Sequence, residues 1–253
     1  MLRFFARWRE RRILARYPIA ESDWREALAH CAPARRLGAT DQAQLRVLAT
    51  FLLRDKTLQP VQGLQLTDTM RVRVAVHTCL PILKLGLRWY RGWDEIVLYP
   101  DLFVPVRTHV DSAGVVHHSH DVLQGEAWDQ GPVVLSWAAI AEAGYPAGHN
   151  VVIHEMAHKL DMLNGACNGF PPLHRRMRRQ AWTRAFASAY SRLQRLQRDG
   201  DPLPLDPYGL ENPGEFFAVA SEMFFEAPRR LRDFSPDLYA QLALFYRQQP
   251  LPG

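Results

Sequence analysis

The sequence predicts an α+β fold with a helical N-terminal part, a small mainly antiparallel sheet and a closing set of helices. Three observations predict it. Apolar residues recur at three- and four-residue spacings in the first third of the chain, the pattern of helices. Between Trp93 and Trp137 this gives way to short β-rich runs separated by Pro, Gly and Asp, the pattern of strands. After Gly148 the helical spacing returns and persists to the end, so helices and strands are segregated rather than alternating.

In order along the chain, Trp24, Leu28, Leu45, Leu48, Phe51 and Leu52 mark helices between Ser22 and about Leu53, interrupted at Pro33 and Gly38. A further helix starts at Thr67 or Asp68 and runs through Val72, Val76 and Leu80 to Pro81. The runs Ile96 to Tyr99, Leu102 to Val104, Val115 to Val116, Val122 to Leu123 and Val133 to Trp137 read as strands of a meander. The last of them reads as an edge able to bind an extended peptide through its backbone. Helices then cover Asn150 to about Leu163, Arg175 to about Arg198, Pro213 to about Glu226 and Pro236 to about Arg247. The second carries Trp182, Phe186, Tyr190, Leu193 and Leu196 on one face, and the fourth opens on the Ser235-Pro236 cap. Residues 1–66 are expected to form the helical part, packed on a domain spanning 67–253.

Composition narrows the function classes. With 47% hydrophobic and 23% charged residues the chain is neither disordered nor membrane-embedded. Lysine occurs only at Lys56, Lys84 and Lys159, so 28 of the 31 basic residues are arginine. The clusters Arg3 to Arg16 and Arg175 to Arg179 contain no nucleic-acid motif and read as solvated helix faces, so no direct nucleic-acid contact is expected. Cys31, Cys79 and Cys167 are odd in number and lack a C-x-x-C pair, which fits a reducing compartment. Arginines interrupt the apolar N-terminus, and no run approaches the ~20 residues of a membrane span, so a cytoplasmic protein without a membrane anchor is expected.

The chemistry centres on His154-Glu155-Met156-Ala157-His158. Histidines four residues apart on a helix lie about 40° apart around its axis and about 6 Å along it, so both imidazoles can reach one ion. Glu155, about 100° from the first histidine, sits beside that ion, where it can take a proton from water and pass it to a leaving amine. Asn150 supplies an N-cap, and Val151-Val152-Ile153 an apolar approach to the motif. The competing explanation is a buried helix with two hydrogen-bonded histidines, which would be costly without a metal or partners.

A catalytic zinc site needs a third protein ligand and an open position. Candidates are Asp161, Glu211, Glu215, Glu222 and the strand His117-His118-Ser119-His120. Asp161 is on the histidine face but short and one turn on, better placed to orient an imidazole than to ligate. Glu215 fits a ligand and fits equally a capping box with Asn212 and Pro213; Glu222, seven residues on, shares its face, so one of the two could support the other. His118 and His120 share a strand face and read as exposed polar positions.

Together with Gln130 to Trp137 and the run Tyr208 to Phe225, which includes Asn212-Pro213-Gly214-Glu215, the motif resembles the Mlc titration factor A family of zinc peptidases. The resemblance covers the chain from about Trp93 to its end and, more loosely, the helices before it. It implies a zincin-like fold related to the catalytic domain of anthrax lethal factor, with one zinc per chain. It makes His154, His158 and Glu215 the ligands, Glu155 the general base and Tyr208 a phenol near the scissile carbonyl. It implies a cytosolic aminopeptidase-like enzyme acting on peptides by zinc-activated water, and binding of a Mlc-like, sugar-responsive transcription repressor. The alternative is a repressor-sequestering protein whose zinc is chiefly structural. The loop Cys167 to Pro172 departs from the family pattern and is expected not to touch the site.

Overall fold

In the computed structural model the described residues are 12–102, 107–110, 116–119, 125–127, 131–143 and 148–251. Among them, residues 12–16 are helical, and α1 (Glu21–Ala29), α2 (Ala32–Arg35) and α3 (Ala39–Asp55) follow. Next come β1 (Thr57–Pro60), α4 (Asp68–Cys79), β2 (Glu95–Tyr99), β3 (Arg107–Val110), β4 (Val116–Ser119), β5 (Gly125–Ala127) and β6 (Val133–Ser136). The C-terminal half is helical: α5 (Trp137–Ala141), α6 (Val151–Asp161), α7 (Arg179–Asp199), α8 (Pro213–Glu226), α9 (Pro228–Phe234) and α10 (Pro236–Tyr246). No helix among the described residues is long and apolar enough to cross a membrane.

The sheet departs from expectation. Its order is β1-β2-β6-β5; β1 and β2 are parallel, β2 and β6 are parallel, and only β5 runs against its neighbour. It is therefore mainly parallel rather than mainly antiparallel, and the meander expectation is corrected. Two features hid this. The strand β1 has no apolar period, since only Leu58 of its four residues is buried. Parallel neighbours also need long crossovers; α4 provides one between β1 and β2, and the excursion containing the separate β3–β4 hairpin provides the other. The strand β6 is buried along its whole length between β2 and β5, as interior strands are, so it is not an edge. Among the described residues, the edge strand that packs on α6 is β5. Leu102 lies outside any strand, while Phe103, Val104, Val115, Val122 and Leu123 fall outside the described residues.

Helix α4 is the hub of the N-terminal half. Thr67 caps it by accepting a hydrogen bond from the Met70 amide at 3.2 Å, α1 and α3 pack along it, and every residue from Val72 to Cys79 is buried. Helix α8 holds the corresponding place in the C-terminal half. It is apolar almost all round and buried from Phe216 to Phe225, the signature of a fully enclosed helix. Trp182 and Phe186 of α7 stack at 4.2 Å and meet Phe217 of α8, and Trp182 meets Phe245 of α10 edge-on. Tyr246 donates its hydroxyl proton to Ser221 at 2.8 Å, so its buried polar end is satisfied.

His77, on α4, is fully buried and accepts a hydrogen bond at Nδ1 from the Asn150 side-chain amide at 2.9 Å. Burial, helped by the Arg73 charge, brings its pKa down to about 4. Because the folded value lies below the unfolded one, the neutral ring contributes stability in full above about pH 6.5, and this is lost as pH falls through about 4. The expected loss is about 3 kcal/mol. Denaturant titrations across that window should show a steeper decline for the parent than for His77→Gln; equal slopes would contradict this role.

Candidate metal centre

Helix α6 begins where the sequence places it. Asn150 accepts from the Ile153 amide at 3.2 Å as N-cap, and its side-chain amide donates to His77 Nδ1 and, at 2.6 Å, to Glu226 of α8. Its backbone amide donates to Glu222 Oε2 at 2.5 Å. One asparagine thus caps α6 and ties it to both α4 and α8, using its side-chain oxygen and nitrogen together.

One turn further on, His154 and His158 point the same way. Their Nε2 atoms lie 3.1 Å apart, and Glu215 Oε2 lies 3.0 Å from the first and 3.2 Å from the second. These three form the group of potential ligand atoms found among the described residues. Tetrahedral ligands each about 2.0–2.1 Å from one ion would be about 3.3 Å from each other. Two ring nitrogens and a carboxylate oxygen at nearly that spacing are the donor set and the arrangement of a His-His-Glu metal centre, so the residues fit an ion.

Glu215 also reconciles its two sequence readings. Its backbone amide donates to the Asn212 cap at 3.0 Å, while its side chain, instead of folding back as a capping box requires, reaches the histidines. Burial opposes its ionisation, but hydrogen bonds from His154 and His158 prevail and hold its pKa down to about 2. For His154, burial disfavours the proton, yet Glu215 and Glu222 outweigh it and raise the pKa well above the ordinary range. A cation held among these groups would take the place of that proton.

The remaining candidates separate by position. Glu222 binds the far nitrogen of the first histidine, Nδ1 of His154, at 2.8 Å, and so orients that ring rather than joining the cluster. Glu155 is 4% exposed, and its Oε2 has no hydrogen-bond partner among the described residues. Burial raises its pKa against the pull of the neighbouring histidines. Asp161 is fully buried, accepts from the Gly169 amide at 2.6 Å and holds a loop. Glu211 is exposed and outside the cluster. Tyr208 stands on a 3-10 turn (Pro207–Leu210), 43% exposed, its ring 5.9 Å from that of His154. His117 and His118 lie on β4 opposite His109 and Thr108, but their side chains, and the whole of His120, fall outside the described residues.

Two contacts were not legible in the sequence. The loop after α6 does touch the site: Cys167 Sγ lies 3.1 Å from His158 Nδ1, which corrects the expectation that this loop stays clear. Although the residue as a whole is exposed, desolvation of its sulfur, and then the Asp161 carboxylate, push the thiol above its ordinary range. Gly125 of β5 packs against α6 so closely that a Cβ there would come within 2.7 Å of Glu155 Oε1 and of Val151 Cγ2. Only the lack of a side chain at position 125 hinted at this approach.

A model of the glucose-regulated metallo-peptidase M90 family matches residues 5–247. The chain belongs to that family. Among its relatives, Mlc titration factor A of Yersinia enterocolitica serotype O:8 / biotype 1B is 40% identical over 242 residues, covering 94% of this chain and 90% of that protein. The proteins of the same name from Yersinia pestis strain Pestoides F and Yersinia pseudotuberculosis serotype O:1b are each 40% identical over 243 residues, covering 94% of this chain and 89% of theirs. Membership of a metallo-peptidase family agrees with the donor chemistry of the cluster formed by His154, His158 and Glu215.

Replacing Asn150 by Ala removes the α6 cap and strips Glu226 and His77 of a shared donor. A loss of about 2 kcal/mol in unfolding free energy is expected. Denaturant midpoints of parent and variant measure it, and a difference under a few tenths of a kcal/mol would contradict the role.

Proposed function

We propose that this chain is a zinc-dependent peptidase, aminopeptidase-like, with one zinc held by His154, His158 and Glu215 and with Glu155 as general base. The convergence of those two Nε2 atoms and Glu215 Oε2 beside a buried, raised-pKa glutamate carries the reading. When bound, zinc supplies Lewis-acid chemistry that polarises the scissile carbonyl and acidifies water.

The chain's own residues do the rest. The Glu155 carboxylate, its Oε2 free of other partners among the described residues, takes the proton of the attacking water and delivers it to the leaving amine. Its low exposure excludes bulk water and keeps the carboxylate basic. Tyr208, exposed beside His154, offers a phenol hydroxyl to the oxygen on which negative charge develops. The edge strand β5 runs past Glu155, and an extended peptide adding to it would bring a backbone carbonyl to the site. In this reading the helical part up to residue 66 packs on a catalytic, zincin-like domain from 67 onward and lends β1 to its sheet.

The relatives' name favours a second role, and we include a Mlc-like transcription repressor as a partner of this chain in the cytoplasm. A purely structural zinc would be closed by four protein ligands. Three potential ligands are found among the described residues, which favours a site with an open position and hence catalysis.

Metal analysis coupled to a fluorogenic aminopeptidase assay tests the proposal. The parent is expected to carry one zinc per chain, His154→Ala to lose it, and Glu155→Gln to keep it while turnover falls by about 10²–10⁴-fold. Full activity in Glu155→Gln would rule out the assigned base. Gly125→Ala should displace Glu155 or the edge strand and lower kcat by about a hundredfold with zinc retained.

A further inference from the structure

We infer that Cys167 is a positioning residue of the metal centre, its sulfur accepting the Nδ1–H of His158 and fixing the ring so that Nε2 faces the ion. The inference rests on the peptidase reading through its assignment of His158 as a ligand.

An imidazole that ligates through Nε2 carries its proton on Nδ1, and that proton needs an acceptor if the ring is to be held in one orientation. His154 has such an acceptor in Glu222 Oε1. His158 has no carboxylate or carbonyl in that place among the described residues; its Nδ1 meets the Cys167 sulfur at 3.1 Å. Asp161, one turn along the same helix face, is the residue expected to serve, but its Oδ2 accepts from the Gly169 amide and its Oδ1 has no hydrogen-bond partner among the described residues, so neither oxygen bonds the ring. The carboxylate acts one step removed, by holding the loop that delivers the sulfur.

That loop is firmly seated. Gly169 donates its amide to Asp161 and accepts from the Trp182 indole at 3.0 Å. It has φ +75, and a Cβ there would meet the Pro213 carbonyl oxygen at 2.4 Å, so both its conformation and its closeness to α8 require glycine. The sulfur itself abuts the first turn of α8: a Cβ on Gly214 would lie 3.0 Å from it. The Cys167 sulfur therefore lies against the ring of His158 and close to the backbone that precedes Glu215. A thiol is compact enough for this gap and still offers lone pairs to the ring.

Zinc affinity measured by competition with a chromogenic chelator, together with the visible absorption of the cobalt-loaded protein, tests the inference on the parent, Cys167→Ser and Cys167→Ala. Cys167→Ala is expected to bind zinc about tenfold more weakly and to shift the cobalt bands. Cys167→Ser, whose hydroxyl can accept the same proton, is expected to stay near the parent. Melting of the three metal-free proteins at a common temperature would show that the fold is not what changed. Parent-like affinity and spectrum in Cys167→Ala, or a serine variant as weak as the alanine one, overturns the inference while leaving the peptidase reading standing. A parent that binds no zinc overturns both.

Discussion

Two largely apolar helices, α6 and α8, meet through a seam of polar groups, and the rest of the site depends on how that seam is satisfied. Asn150, His154, Glu215, Glu222 and Glu226 are withdrawn from water there, and each would be costly if unpaired. They are matched pair by pair: Asn150 with Glu222 and Glu226, His154 with Glu222 and Glu215. A slip of one helix past the other by a turn, about 5.4 Å, would unmake every pair together. The seam therefore sets the register that brings a glutamate 57 residues away to within 3.2 Å of His158. What it leaves unresolved is local: two Nε2 atoms and one carboxylate oxygen crowd a single point, and a cation resolves that crowding most directly.

The seam needs stiff backing, because ligand atoms must hold their places to within a fraction of an ångström. On the far side of α8, the aromatic residues of α7 and α10 fill the interior with edge-on and stacked rings, which leave little freedom for the helix to move. On the near side, Lys159 donates to the Gly131 carbonyl at 2.8 Å and ties α6 to the approach to β6. His158, whose Nδ1 contacts neither of the α8 glutamates, is held by a sulfur from the intervening loop. The site is thus fixed from α8, from the sheet and from the loop.

Much of this was legible in the sequence because it is local. The i, i+4 histidines, the intervening glutamate, the Asn150, Asn212 and Ser235 caps and the apolar face of α7 all follow from helix geometry within a couple of turns or so. The dual nature of Glu215 was not decidable at that level, because its backbone and side chain do different things and the local pattern fits either role equally. The parallel sheet was hidden for a different reason. Strand direction depends on what the chain does between strands, and β1, with one buried side chain, gives no periodic signal of its own.

By itself the sequence determined which residues could share an ion, since two imidazoles on one helical face need nothing but the 3.6-residue turn. Only the tertiary structure decided which acid lies with the two imidazoles, which strand lies beside Glu155 and what meets the ring of His158. Those are contacts between segments far apart in the chain, settled by how helices and strands pack once the buried polar groups have found partners.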